Sequence, residues 1–333
     1  LTVGVVVVIV LDAGVYAVLG VGVLTAAWAL LQLLWRYRHI GPIILRGWTR
    51  RALPILRASI PFMAVGLALV LYQQIDVIVI SSVVDDEVLG WYGTSDTLFG
   101  SLLFPATIIA GTIFPTLGRL YQNDPDAMVD LVKRTFRALI LVGVPIGLGV
   151  VIVAPEFAPL LYGEEFRETG AVLAVTGPVV PLTFGTILFG TVALATNRAT
   201  TWVWVLLISA ALTVPLDLLL VPWAQDQFDN GAIGGAIAYL FTESFQFAIG
   251  LWLIGPFLVN RRTAWYVFRI AVAGGVMLAV GLALRDLPML VTITVCAVVY
   301  VLLILAFRVL TDEQRQLIGE VLAKLGVSTS WAG

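Results

Sequence analysis

The chain has 333 residues, of which 60% are hydrophobic and 12% are charged, and its formal net charge is −2. An ordinary soluble domain contains roughly 25% charged residues, so this composition argues against a soluble protein and favours a protein embedded in a bilayer. The sequence has no continuous basic surface for nucleic acid, no P-loop pattern, and only one cysteine, Cys296, and one histidine, His39. We therefore expect a membrane protein that is not an enzyme, holds no cofactor or metal and binds no nucleic acid.

Apolar runs follow one another along the whole chain, and a helix of roughly 20 residues suffices to cross a bilayer. The sequence predicts an all-α, polytopic transmembrane bundle with ten spans: 1–11, 15–35, 59–82, 95–118, 135–154, 170–195, 201–221, 232–255, 265–284 and 288–307. Most gaps are only a few residues long, which is typical of antiparallel neighbouring helices. Because run 1–11 is too short to span and starts with Leu1, we interpret it as a truncated helix.

Three other segments are predicted to lie at the membrane surface. Segment 36–57 is Arg-rich and contains Trp48, as expected for an interfacial helix that links two lobes. A second such helix is expected to begin at Asp124-Pro125, because Asp is a good N-cap and Pro a good first residue. The tail, 309–333, carries apolar residues on one helical face.

The gaps between spans alternate in charge. All Lys and Arg except Arg167 and Arg285 lie in every second gap, in the first residues of the span that follows such a gap, or in the tail, and the intervening gaps are acidic. Cytoplasmic loops of membrane proteins are enriched in Lys and Arg. The pattern therefore predicts repeated crossings of the cell membrane, with the C-terminus in the cytoplasm.

Polar residues interrupt several of the predicted spans, where an ionisable group costs roughly 2.5–3.5 kcal/mol on insertion scales. The candidates are Asp76 with Tyr72 and Gln73 on the same helix face, Glu243 with Gln246, Asp217, and, in a weaker stripe with Thr186 and Gly190, Asn197. Stripes on different helices suggest a shared, water-filled translocation cavity. The alternative for each acid is a structural hydrogen bond between helices, or a position near the headgroups. The latter applies most to Asp217, close to its predicted span end.

Short segments in a fixed order carry a resemblance to a known family. They include Gln73-Gln-Ile-Asp76, Gly90-Trp-Tyr92, Phe114-Pro115, the run 154–163, and the run 231–238 with Thr242-Glu-Ser244. Together they resemble the polysaccharide flippases (Wzx-type) of the multidrug/oligosaccharidyl-lipid/polysaccharide exporter (MOP) superfamily.

The resemblance implies a two-lobed transporter with twelve or fourteen helices around a central cavity. Residues 1–35 would then be the last helices of an N-terminally truncated first lobe, 36–57 a cytoplasmic linker and 58–255 a six-helix second lobe. Two extra helices would occupy 256–308, before the cytoplasmic tail 309–333. A fragment of this kind is expected not to transport, since half of the cavity wall would be missing. The family commonly has Asn where this chain has Asp217, which leaves open whether Asp217 belongs to the cavity.

The function implied by the resemblance is the movement of lipid-linked oligosaccharides from the cytoplasmic to the outer leaflet. The partners would be that substrate and membrane lipids, with H⁺ or Na⁺ as coupling ion at Asp76. Arg57, Arg119 and Arg198 could hold the lipid phosphate, since Arg suits bidentate phosphate contacts; the alternative is ordinary positive-inside anchoring. A cation or drug antiporter of the multidrug and toxin extrusion branch stays open as a second function, and a polytopic glycosyltransferase as a weaker third.

Overall fold

A computed structural model describes residues 14–37, 48–258 and 260–309. In these ranges the regular secondary structure is helical. The helices are α1 Gly14–Tyr37, α2 Trp48–Ile80, α3 Asp86–Leu102, α4 Phe104–Asn123, α5 Pro125–Tyr162, α6 Arg167–Thr176, α7 Val179–Ala195, α8 Ala199–Phe228, α9 Gly231–Leu258, α10 Arg261–Ala283 and α11 Met289–Ala306, with a short 3₁₀ helix, Glu164–Phe166, before α6. The predicted first span and, after Val309, the predicted tail helix lie outside the described residues.

The chain divides into two compact units, residues 1–60 and 61–333. The described part of the first unit contains α1, a 24-residue apolar helix with Arg36 in its last turn, and the beginning of α2. The second unit contains the rest of α2 and the helices α3 to α11. Its core is built of buried aliphatic and aromatic side chains, with Phe136, Phe189 and Phe247 in mutual ring contact.

Six of the described helices, α2, α5, α8, α9, α10 and α11, are long and apolar enough to cross a membrane. Two bent pairs are apolar enough for one further crossing each if the pair is counted as a single span: α3 and α4 meet at 46°, and α6 and α7 at 57°. The polytopic all-α fold is therefore confirmed. The two pairs correct the continuous spans predicted at 95–118 and 170–195. Each break adjoins a proline, Pro105 in the first turn of α4 and Pro178 before α7, and proline offers no backbone N–H to continue a helix.

Two predicted surface helices are not separate elements. The helix α2 is continuous over 33 residues from Trp48 to Ile80, so the expected boundary at 57/58 falls inside it. Similarly, α5 begins at Pro125 and continues through the predicted span 135–154 to Tyr162. Both helices exceed the roughly 20 residues needed to cross the hydrocarbon layer, and each predicted surface segment is continuous with the span that follows it.

The N-terminus of α5 is capped as the sequence predicts. The Asp124 carboxylate accepts a hydrogen bond from the Ala127 backbone N–H at 3.0 Å. We expect Asp124→Ala to lower the free energy of unfolding by about 1 kcal/mol, because a helix-end donor loses its partner. Asp124→Asn retains an acceptor and should unfold like the parent in a thermal melt. Equal losses in both variants would show that the cap contributes nothing.

The acidic gaps lie together at one end of the second unit. The Trp91 indole N–H, in the first turns of α3, donates to the Glu165 carbonyl at 3.0 Å. The Asn230 amide, between α8 and α9, donates to the Glu168 carboxylate at 3.2 Å. Three gaps distant in sequence therefore meet, as an antiparallel bundle requires.

The basic gaps are joined in the same way. The Arg198 guanidinium, before α8, donates to the Leu253 carbonyl of α9 at 3.1 Å. The Arg137 guanidinium of α5 donates to the Thr263 hydroxyl of α10 at 3.0 Å. Acidic gaps therefore contact acidic gaps, and basic gaps contact helices next to other basic gaps, as the alternation of charge along the sequence predicts.

The two basic residues that break the alternation each have an acidic neighbour. The Arg167 guanidinium lies 2.6 Å from the Glu164 carboxylate, and Arg285 lies 3.9 Å from Asp286. Exposed pairs of this kind contribute at most about 1 kcal/mol. The two pairs matter for the topology, because in each an acidic side chain offsets the one positive charge of an otherwise acidic gap.

Candidate functional site

A cavity of about 470 Å³ opens in the second unit between α2, α4, α7, α8 and α9. Its walls are largely apolar, with a few polar side chains that converge from different helices: Tyr72, Gln73, Thr186, Tyr239, Glu243 and Gln246. Ligand sites have this character, a mainly apolar cleft of roughly 300–1,000 Å³ with a small number of placed polar groups. Four of the residues predicted from the sequence, Tyr72, Gln73, Glu243 and Gln246, meet here.

Glu243 is the centre of the polar set, although its side chain is only 2% exposed. The Tyr72 hydroxyl of α2 donates to Glu243 Oε2 at 3.0 Å, and the Thr186 hydroxyl of α7 donates to Oε1. Tyr72 Oη also lies 3.4 Å from Thr242 Oγ1. The carboxylate therefore links three helices while it faces the cavity, and no ion pair neutralises it within the described part of the chain.

Gln246 lies one helical turn after Glu243 and also lines the cavity. Its side chain is 2% exposed, and its Nε2 has no hydrogen-bond partner among the residues that the structure describes. The ring of Tyr239 completes this wall, packed against Phe99 with 5.5 Å between ring centroids. A buried amide donor without a partner is costly, at about 1–3 kcal/mol, which marks Gln246 as a group that a bound ligand could satisfy.

Asp76 lies one turn after Tyr72 on α2 but is not part of the cavity lining. Its side chain is 6% exposed, and Oδ2 accepts a hydrogen bond from the Tyr92 hydroxyl of α3 at 3.0 Å. Oδ1 has no partner in the described ranges. Asp76 thus forms a second buried polar site, beside the cavity.

Asp217 is fully buried in α8, and neither carboxylate oxygen has a hydrogen-bond partner among the described residues. The neighbouring hydroxyl of Thr213 donates to the Ser209 carbonyl instead. The structure corrects the expected position near a span end, because α8 extends to Phe228 and leaves Asp217 well inside the helix. Among the described residues, Asp217 therefore does not form the structural hydrogen bond that was the alternative interpretation of this acid.

Asn197 is not among the residues that line this cavity. It lies exposed in the turn after α7 with a left-handed backbone, φ 58°. Asn adopts this conformation more readily than most residues. Its role in this position is to reverse the chain between α7 and α8.

The three predicted phosphate contacts all have exposed side chains. Arg119 lies in the last turns of α4, and Arg57 lies on α2 in the first compact unit. Arg198 borders a small pocket of about 60 Å³ that is also lined by Tyr121. Arg198 contacts another helix through the Leu253 carbonyl of α9.

Tyr92 and Thr186 complete the two polar sites but were not predicted as site residues. Each is a hydroxyl partner of a buried acid, Asp76 and Glu243 respectively. Tyr92 belongs to one of the resembling motifs and Thr186 to the weak stripe with Asn197. In the sequence, each is visible only as a polar residue inside an apolar run. This polarity does not identify the acid that the hydroxyl contacts.

Comparison with known proteins assigns the chain to a protein family. The family described as "Polysaccharide biosynthesis protein" matches residues 1–171, half of the chain. The chain belongs to this family. No curated protein matches it. The relation to polysaccharide exporters that the sequence motifs predict is thereby confirmed.

One solved structure shares the fold of this polysaccharide biosynthesis protein. It is the lipid II flippase MurJ in an inward closed conformation, with a TM-score of 0.60 and 13% sequence identity. The match covers 80% of this chain and 56% of the MurJ chain, so the chain spans little more than half of that protein's length. The likeness confirms the all-α, polytopic fold.

Proposed function

We propose that this protein is a flippase that moves lipid-linked saccharide precursors from the cytoplasmic to the outer leaflet. The observation that carries the proposal is the cavity between membrane-spanning helices, with buried polar groups of Tyr72, Thr186, Glu243 and Gln246 on its wall. A sugar headgroup needs hydrogen-bonding partners along its route, whereas its lipid tail stays in hydrocarbon. Membership of the polysaccharide biosynthesis family and the MurJ-like fold support the same function.

The helices α2 to α9 supply one lobe of such a transporter. With each bent pair counted as one span, they make six crossings: α2, α3/α4, α5, α6/α7, α8 and α9. We assign α10 and α11 to the two additional helices. The assignment 58–255 for the lobe and 256–308 for the extra pair is supported by this count, and α1 belongs to the preceding lobe.

The basic end of the second unit is proposed as the entry side for the anionic lipid phosphate. Arg119 and Arg198 are exposed there, and the Arg198 guanidinium has further N–H donors beyond the one bound to Leu253. Arg57 is assigned the same role on α2. Placing this end in the cytoplasm follows from the enrichment of Lys and Arg in cytoplasmic loops.

We further propose that H⁺ or Na⁺ drives transport through Asp76 and Asp217. Both acids are buried within spans, and three of their four carboxylate oxygens have no partner in the described residues. Carboxylates at membrane depth are expensive, and in transporters they mark ion or proton pathways. A bound cation or proton would satisfy these oxygens.

Deleting the gene in the source cells tests the flippase. Surface polysaccharide should be lost, and its lipid-linked precursor should accumulate, because the precursor can no longer reach the outer leaflet. The unaltered gene on a plasmid should restore both. The measurement is extraction and mass spectrometry of the lipid-linked saccharides, together with staining of the cell surface. An unchanged surface polysaccharide and precursor pool after deletion would contradict the proposal.

A multidrug and toxin extrusion antiporter is the second candidate, because the Glu243 carboxylate, which has no ion-pair partner in the described ranges, faces the cavity and would suit an organic cation. Uptake of a cationic dye into inverted membrane vesicles, driven by an ion gradient, separates the two functions. We expect no difference in dye uptake between vesicles from parent and deletion cells.

A further inference from the structure

The cavity wall formed by α9 favours some ligand charges over others. Glu243 contributes an un-neutralised carboxylate, and no Lys or Arg lines the cavity in the part of the chain that the structure describes. The nearest neighbours of that carboxylate are hydroxyl donors, Tyr72 and Thr186. An anionic group placed in this cavity would therefore meet a negative charge without compensation.

The same wall offers both acceptors and a donor to a ligand. A carboxylate has about four acceptor positions, and Tyr72 and Thr186 occupy one on each Glu243 oxygen. The amide of Gln246, one turn away on the same helix face, is a buried donor with no partner in the described ranges. Tyr239 and Trp202 add aromatic surface to the same cavity. Neighbouring hydroxyl or acetamido groups of a sugar ring can donate to the carboxylate and accept from the amide.

We propose that this cavity is the subsite for a sugar unit, and that Glu243 makes it select sugars without a carboxylate over acidic sugars such as uronic acids. Gln246 provides the complementary donor to the same ring. The inference rests on the proposed flippase function and names the substrate class for it.

A binding experiment separates this selectivity from the flippase function itself. The chain, in lipid nanodiscs, is titrated with polyprenyl diphosphate that carries N-acetylglucosamine, glucuronic acid or no sugar, at equal mole fractions in the bilayer. Native mass spectrometry measures the bound fractions. We expect the N-acetylglucosamine carrier to bind about tenfold more tightly than the glucuronic acid carrier, because the second carboxylate is repelled at short range in a poorly solvated cavity.

Glu243→Gln should bring the two affinities within about threefold, because the repelling charge is removed while the side-chain size is kept. Glu156→Gln is the matched control: it removes the same charge from an exposed position on α5, away from the cavity, and should retain the tenfold preference. Gln246→Leu should weaken binding of the N-acetylglucosamine carrier about fivefold through the lost hydrogen bond and leave binding of the bare carrier unchanged. If Glu243→Gln does not fold, the Gln246→Leu result tests the sugar subsite instead.

Each result bears on one of the two proposals. Equal affinities for the neutral and acidic carriers in the parent protein, or a preference that survives Glu243→Gln, would overturn the sugar subsite and leave the flippase standing. Failure to bind any of the three carriers would count against the flippase itself. If a cationic dye displaces the N-acetylglucosamine carrier but a competing sugar does not, the cavity binds cations, and the sugar subsite is overturned.

Discussion

Gly147→Ala will lower the free energy of unfolding of this protein by about 3 kcal/mol, at the upper end of the usual cost of overpacking. A Cβ at Gly147 would lie 2.4 Å from the Gly177 carbonyl oxygen and 3.0 Å from Pro181 Cδ. The contact is reciprocal, since a Cβ at Gly177 would lie 2.6 Å from the Gly147 carbonyl oxygen. The added methyl group meets backbone on the facing segment, so α5 must move away from the break between α6 and α7.

Gly149→Ala provides the matched control on the same helix. A Cβ there meets nothing within 4 Å, and alanine is favoured over glycine in a helix by about 1 kcal/mol. Thermal unfolding in detergent should therefore place Gly147→Ala well below the parent and Gly149→Ala at or above it. Equal melting temperatures for the two variants would contradict the close approach of α5 to Gly177.

This contact involves the motif Gly143-Val-Pro-Ile-Gly147, which packs against another segment of the same chain. A Cβ at Gly143 would lie 3.1 Å from Pro181 Cα on α7. Small residues four apart allow helix backbones to approach closely in membranes. The sequence pattern predicts such an approach but not its partner, which is 30 or more residues further along the chain.

Hydropathy predicts the crossings well because the length of an apolar run is a local property. The spans expected at 201–221, 232–255, 265–284 and 288–307 correspond one to one to α8, α9, α10 and α11. Hydropathy does not predict the breaks at Leu103 and Gly177, although prolines adjoin both. Pro145 lies inside α5 without ending it, and membrane helices tolerate proline when neighbours satisfy the freed backbone groups. Whether a given proline ends a helix is therefore decided by tertiary packing.

The candidate site shows the same division between local and distant information. Asp76, Asp217 and Glu243 stand out in the sequence because charge at membrane depth is expensive. The pairing of acid and hydroxyl does not, since Tyr72, predicted beside Asp76, donates instead to Glu243 across 171 positions of sequence. Asn197 lies past Ala195, where α7 ends, so the periodicity of α7 does not determine where its side chain lies. Periodicity groups residues on one face only within one helix.

Asp76→Asn or Asp217→Asn will reduce transport about tenfold or more, as expected for the loss of a charged binding group, without lowering the melting temperature. Asn keeps the shape of Asp, and at position 76 it can still accept the hydrogen bond from the Tyr92 hydroxyl. At position 217 no hydrogen bond is lost, because neither carboxylate oxygen has a partner among the described residues. A purely structural acid would show the opposite result, a lower melting temperature with transport retained.

The measurement uses inverted vesicles from cells that carry each variant at the gene's own locus, with the movement of a lipid-linked saccharide followed as a function of imposed pH and Na⁺ gradients. Asp286→Asn is the control, since that carboxylate is 95% exposed and lies in a loop. If both acids serve one coupling site, the double variant will transport no less than either single variant, because removal of either carboxylate already disables the site. Transport that keeps its rate and its ion dependence in Asp76→Asn would refute the coupling role. Losses that multiply in the double variant would instead place Asp76 and Asp217 in two independent sites.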